Sequence, residues 1–195
     1  MASRGRIRAV VMGASWGGLA AYTRVLGQMD ARFPVPVMLV QHQKAGAGDK
    51  LPWILDTRTG MRVVAPEDKT ELQAGCVYVA PPGYHMLVDK QHRVCFSMAA
   101  PVLYCRPAID ELFFSAADVY GAGLLAVILT GANDDGAAGM AYVHRRGGVT
   151  VAQSPDTAEA PTMPESAIRT GHVDHIVPLD EMGTFITDLT FGLQE

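Results

Sequence analysis

The stretch Val10-Val11-Met12-Gly13-Ala14-Ser15-Trp16-Gly17-Gly18 constrains the chain most. An apolar run over residues 7–12 predicts a buried strand. The glycines that follow predict a tight turn, and residues 19–29 predict a helix. In such a strand–turn–helix unit a serine at the tip has its hydroxyl pushed out of the sheet edge. The helix N-terminus beside it turns free backbone N–H groups toward the same space. That geometry suits a nucleophile attacking a carbonyl, because the oxyanion needs N–H donors about 3 Å away. Gly13-x-Ser15-x-Gly17 also fits the G-x-S-x-G pattern of a nucleophile elbow. Taken alone the pattern is weak, since a glycine-rich first turn is more often only a turn or a phosphate cradle.

The rest of the chain repeats the alternation. Strands are predicted over 35–41, 61–65, 76–80, 124–129, 149–153 and 175–177, and helices over 50–57, 108–120, 137–146, 164–169 and 179–193. Residues 85–88 and 93–97 alternate about Asp89-Lys90-Gln91-His92 and predict a β-hairpin. Residues 44–49 and 154–162 read as loops. This order predicts an α/β fold: a doubly wound, mostly parallel sheet with helices on both faces and one antiparallel hairpin. No repeat or linker interrupts it, so residues 1–195 are expected to be one domain, with 1–6 a short tail.

Several classes are disfavoured. With a net charge of −4 and pI ≈ 5.8, no cationic face for nucleic acid is expected. No apolar run approaches the roughly 20 residues that span a bilayer, so no membrane insertion is expected. Cys76, Cys95 and Cys105 are odd in number and lack C-x-x-C spacing. Free thiols in a reducing, cytoplasmic compartment follow, and the spacing argues against a zinc site or a disulfide framework.

Three strand ends carry chemistry: Ser15 after the first, His42 after the second, and Asp134-Asp135 after the 124–129 strand. In a parallel sheet these ends share one edge. A nucleophile, a base and a carboxylate that holds the base's tautomer are what acyl transfer needs. The plainer readings are a hydrogen-bonded strand-end histidine and a helix N-cap, a task expected of one of the two aspartates. A dinucleotide site would want glycine where Ser15 stands and an acid where Gln41-His42 stands. No Gly-Lys-Ser/Thr marks a P-loop. An α/β-hydrolase would carry Ser, Asp, His in that order, with strands before the elbow.

At this point the chain resembles the catalytic domain of the chemotaxis protein-glutamate methylesterases, the CheB family. The resemblance rests on Gly13-Ala14-Ser15-Trp16-Gly17-Gly18, Gln41-His42, Tyr78-Val79-Ala80-Pro81-Pro82-Gly83-Tyr84-His85-Met86 and Arg106-Pro107-Ala108-Ile109-Asp110-Glu111-Leu112-Phe113. It continues through Ile128-Leu129-Thr130-Gly131-Ala132-Asn133-Asp134-Asp135-Gly136-Ala137-Ala138-Gly139-Met140, Ala152-Gln153 and Met163-Pro164. It implies Ser15, His42 and Asp135 as the catalytic serine, histidine and aspartate; the family's T-G-x-x-x-D-G loop selects Asp135 over Asp134. It implies hydrolysis of glutamate methyl esters on the cytoplasmic helices of chemoreceptors, often with deamidation of glutamines, and no metal or organic cofactor.

The chain departs from the family in three ways. Trp16 replaces a small polar residue after the serine, as a pocket wall or a platform for substrate, with its backbone N–H still an oxyanion donor. Ala132 stands where methionine is common and opens that wall. Only about six residues precede the first strand, where the family carries a receiver domain. The expectation is a stand-alone enzyme controlled by a separate receiver or kinase protein, or a piece of a longer chain. Two rival functions remain: a regulatory module of this fold silenced by Trp16, and a generic serine esterase.

Overall fold

A computed structural model describes residues 6–43 and 50–192. Most of the expected tail, the expected 44–49 loop and the last residue of the closing helix lie outside these residues. Seven parallel strands form one sheet in the order β3-β4-β2-β1-β7-β8-β9. They are β1 (Ala9–Ala14), β2 (Val37–Gln41), β3 (Arg62–Val64), β4 (Cys76–Val79), β7 (Leu124–Ile128), β8 (Val149–Gln153) and β9 (His175–Val177). The hairpin strands β5 (His85–Val88) and β6 (Val94–Ser97) pair antiparallel and stand as a separate two-stranded sheet.

The central strands read as unbroken apolar runs because both of their faces are buried. Alternate residues serve opposite faces. Val10 and Met12 of β1, with Leu125 and Val127 of β7, join one core with α1 (Gly18–Leu26) and α6 (Leu179–Gly192). Val11 of β1, with Ala126 and Ile128 of β7, joins a second core with α3 (Ile109–Tyr120), α4 (Ala137–Arg145) and α5 (Thr162–Arg169). The hairpin's Met86 and Val94 lie in that second core. The short α2 (Leu51–Asp56) adds Leu51 and Leu55 to the first.

Several expected boundaries shift. The first strand is Ala9–Ala14 rather than residues 7–12, so Gly13 lies in the strand and not in the turn. The first helix ends at Leu26, with Gly27 as its cap, rather than at residue 29. The 164–169 helix starts earlier, at Thr162, so that Pro164 is its third residue. Proline is tolerated there because the first N–H groups of a helix have no intrahelical acceptor. The 154–162 loop contains a single 3-10 turn, Pro155–Thr157.

β1 is the switch point of the sheet. From it the sheet extends through β2 and β4 to β3 at one edge, and through β7 and β8 to β9 at the other. Ligands of open α/β sheets bind outside the strand carboxyl ends at such a point. The ends of β1, β2 and β7 are therefore neighbours.

Candidate active site

Ser15 follows β1 directly. Its N–H donates to Thr130 O at 2.9 Å, and its carbonyl accepts from Gly18 N at 2.9 Å and from Gln41 Nε2 at 2.8 Å. Thr130 Oγ1 donates to Trp16 O at 2.9 Å, and Gln153 Oε1 accepts Thr130 N–H at 2.9 Å. The turn is thus tied to the ends of β2, β7 and β8. Two glycines are required. A Cβ on Gly13 would run into Ile109 at the start of α3, and Gly17 has φ +79° beneath the Glu159 side chain. Ser15 itself is not among the described non-glycine residues with positive φ. The turn matches a strained hydrolase elbow in its residue pattern and not in its backbone.

His42 follows β2, with its N–H on Ala14 O at 3.1 Å. Its Nε2 lies 2.6 Å from Oδ2 of Asp135. Asp135 has no solvent exposure, and three donors converge on its carboxylate. Ile109 N–H donates to Oδ2 at 2.7 Å, Asp110 N–H to Oδ1 at 3.0 Å, and His42 Nε2–H to Oδ2. The carboxylate therefore caps α3, where the helix dipole favours negative charge. It also keeps the imidazole proton on Nε2 and leaves the Nδ1 lone pair facing the cleft.

That cleft, about 490 Å³ and open to solvent, is lined by Ser15, His42, Tyr104, Cys105, Arg106 and Asn133 among others. Cys105 Sγ is 3.5 Å from His42 Nδ1. Burial, and next the charge of Asp135, push this thiol above its ordinary range, so it is not a ready thiolate nucleophile. No hydrogen bond among the described residues joins the Ser15 hydroxyl to His42.

Comparison with known proteins identifies the family. A family model described as CheB methylesterase matches residues 10–186. The chain belongs to the CheB methylesterase family. A Leptospira interrogans protein named putative protein-glutamate methylesterase/protein-glutamine glutaminase is 40% identical over 174 residues, covering 89% of this chain and 90% of that protein. A Clostridium acetobutylicum protein named protein-glutamate methylesterase/protein-glutamine glutaminase is 36% identical over 188 residues, covering 96% of this chain but 54% of its own length. The catalytic domain of Thermotoga maritima CheB methylesterase superposes with a TM-score of 0.89 at 31% identity, over 94% of this chain and 98% of that one. Among the described residues no helix is long and apolar enough to cross a membrane.

The positions that distinguish this CheB-type chain take up unequal places. Trp16 is 65% exposed, and its indole N–H donates to Glu159 Oε1 at 2.8 Å. Ala132 is exposed, and the wall its loop supplies to the cleft is Asn133. The expectation that Asp134 or Asp135 caps the following helix is corrected: Gly136 is the N-cap of α4 and no side chain caps there. The carboxylate feeding that helix is Asp110, whose Oδ1 accepts Gly139 N–H at 2.6 Å. Burial, then the charge of Asp135, push Asp110 up to about 6. An aspartate near a helix start is too common to stand out in a sequence. Cys105 and Asn133 offered no local signal either.

Proposed function

We propose that this chain hydrolyses glutamate methyl esters on the cytoplasmic helices of chemoreceptors, and deamidates glutamines at such sites, through Ser15, His42 and Asp135. The carrying observation is the 2.6 Å contact between His42 Nε2 and a fully buried Asp135, beside Ser15 in one cleft. With the proton held on Nε2, Nδ1 takes the Ser15 hydroxyl proton as Oγ bonds to the ester carbonyl carbon. The backbone N–H of Trp16, one residue into the turn, donates to the oxyanion. Collapse releases the methoxy group, which leaves as methanol with the proton from His42. Water then attacks the acyl-serine by the same route and frees the glutamate. The chemistry uses no metal or organic cofactor, and its setting is the cytoplasm. The described residues form one catalytic domain.

The cleft favours a protein substrate over a compact ester. The segments lining it carry exposed Tyr84, Met98, Leu103 and Tyr104. An exposed apolar rim suits association with another protein surface. Trp16, bonded outward to Glu159, is not among the cleft's lining residues, which counts against the silenced-module reading. The test is methanol release from methyl-labelled receptor membranes by the purified protein. Release supports the reading. Turnover of aryl esters without receptor turnover points to a generic esterase, and turnover of neither substrate sinks both.

A further inference from the structure

Cys105 has no part in the hydrolytic scheme, yet its sulfur is held against the base. A two-residue turn places it there. Val102 N–H donates to Cys105 O at 3.1 Å, and Cys105 N–H to Val102 O at 2.8 Å. The central residues, Leu103 and Tyr104, have φ of +47° and +64°, left-handed backbone that such side chains disfavour. Non-glycine residues held this way cluster at functional sites.

Donor atoms of His42, Cys105 and Asp135 all lie within 4.8 Å of one another. Two ligands of one tetrahedral zinc, nitrogen at about 2.0–2.1 Å and sulfur at about 2.3 Å, sit about 3.6 Å apart. The 3.5 Å between Nδ1 and Sγ is already that spacing. Asp135 on Nε2 supplies the outer carboxylate that ordinarily orients a metal-bound histidine. Asn133 Nδ2, 3.6 Å from Sγ, donates to the sulfur and favours its thiolate form.

We propose that His42 Nδ1 and Cys105 Sγ together bind a thiophilic divalent cation, with zinc its representative, and that occupancy reversibly silences the site. The Cys105 thiol gives its proton to solvent as the metal–sulfur bond forms; no electron is transferred. Cleft water completes the coordination. The lone pair engaged by the metal is then unavailable to Ser15; this inhibitory part rests on the hydrolytic reading above. The two proposed ligands are 63 residues apart in the chain and meet only in the fold.

Zinc affinity is measured against a chromophoric chelator, with the metal alone and no thiol reductant. Cobalt(II) absorption then reports thiolate ligation. The parent should bind with a thiolate–cobalt band. Cys105→Ser should weaken zinc by at least about tenfold and lose the band, and His42→Gln should weaken zinc similarly. Cys95→Ser should change neither. Equal zinc affinity in the parent and Cys105→Ser, or a band that survives that change, overturns the site. Cysteine-dependent binding with undiminished methanol release overturns the inhibitory part. Cysteine-dependent binding by a parent that releases no methanol leaves the metal site standing and sinks the hydrolytic reading instead.

Discussion

Asp110 and Asp135 cap each other's helices. Asp135 Oδ1 accepts the Asp110 N–H at the start of α3, while Asp110 Oδ1 accepts the Gly139 N–H in the first turn of α4. Two buried carboxylates are thereby brought close, and they are not equivalent. Asp135 takes three N–H donors, one of them from His42. Asp110 is pushed up to about 6 by its burial and by the charge of Asp135. The pair ties the start of α3 to the start of α4.

The raised Asp110 group makes a stability prediction. Its native form keeps a proton that the unfolded chain gives up near the ordinary value of 3.8. The contribution to folding is thus fully present below about pH 4 and lost as pH rises to about 6. A shift of this size corresponds to about 3 kcal/mol. Asp110→Asn keeps the acceptor for Gly139 N–H and cannot ionise. Urea unfolding should find it close to the parent at pH 4 and more stable at pH 8, by up to that amount. A stability difference that is the same at both pH values would remove Asp110 ionisation as the cause.

Ser15→Ala should abolish methanol release with little change in melting temperature. The Ser15 hydroxyl makes no hydrogen bond among those described, whereas its backbone groups carry the turn. Losses of true nucleophiles are orders of magnitude. Retention of activity within about tenfold of the parent would rule out covalent catalysis by Ser15.

The sheet was readable because parallel strands buried on both faces are apolar runs closed by glycine turns. The strand-end positions of Ser15, His42 and the 134–135 pair follow from that reading alone. What escaped it depends on contacts distant in the chain. Gln41, Thr130 and Gln153 bind the turn through bonds that link the ends of separate strands. Cys105 reaches His42 by way of a left-handed turn with no glycine to announce it. The choice between Ala132 and Asn133 as cleft wall turns on loop geometry, which one residue of register decides.

Trp16→Thr should lower turnover of methylated receptor by roughly tenfold, the scale of a contact tryptophan at a protein interface. Turnover of a small aryl ester should stay within about twofold. The exposed indole follows Ser15 directly and donates to Glu159. A helix approaching Ser15 meets it before a compact ester would. Glu159→Gln should reproduce part of the receptor effect by loosening the indole. Equal losses on both substrates would assign Trp16 to support of the turn.

The adjacent acids give the sharpest comparison. Asp135→Asn should cost about 10⁴-fold in turnover, the loss produced when the triad carboxylate of a serine protease becomes an amide. An amide has one acceptor atom where three N–H groups converge. If its NH₂ faces His42 and Ile109, the ring must turn or change tautomer and one cap bond is lost; if it faces Asp110, the other cap bond is lost. Either way a buried donor is left unpaired, which costs about 1–3 kcal/mol, so the melting temperature should fall as well. Asp134→Asn should change neither quantity appreciably, because Asp134 is exposed and its side chain caps nothing. Turnover is then compared at a temperature where both variants are folded, so that the helix cap and the base are judged separately. If Asp135→Asn melts lower but keeps its turnover, the carboxylate is a helix cap only and another group orients His42. If Asp134→Asn is the inactive variant, the acid that serves the base is the exposed one, and the 2.6 Å contact has no catalytic part.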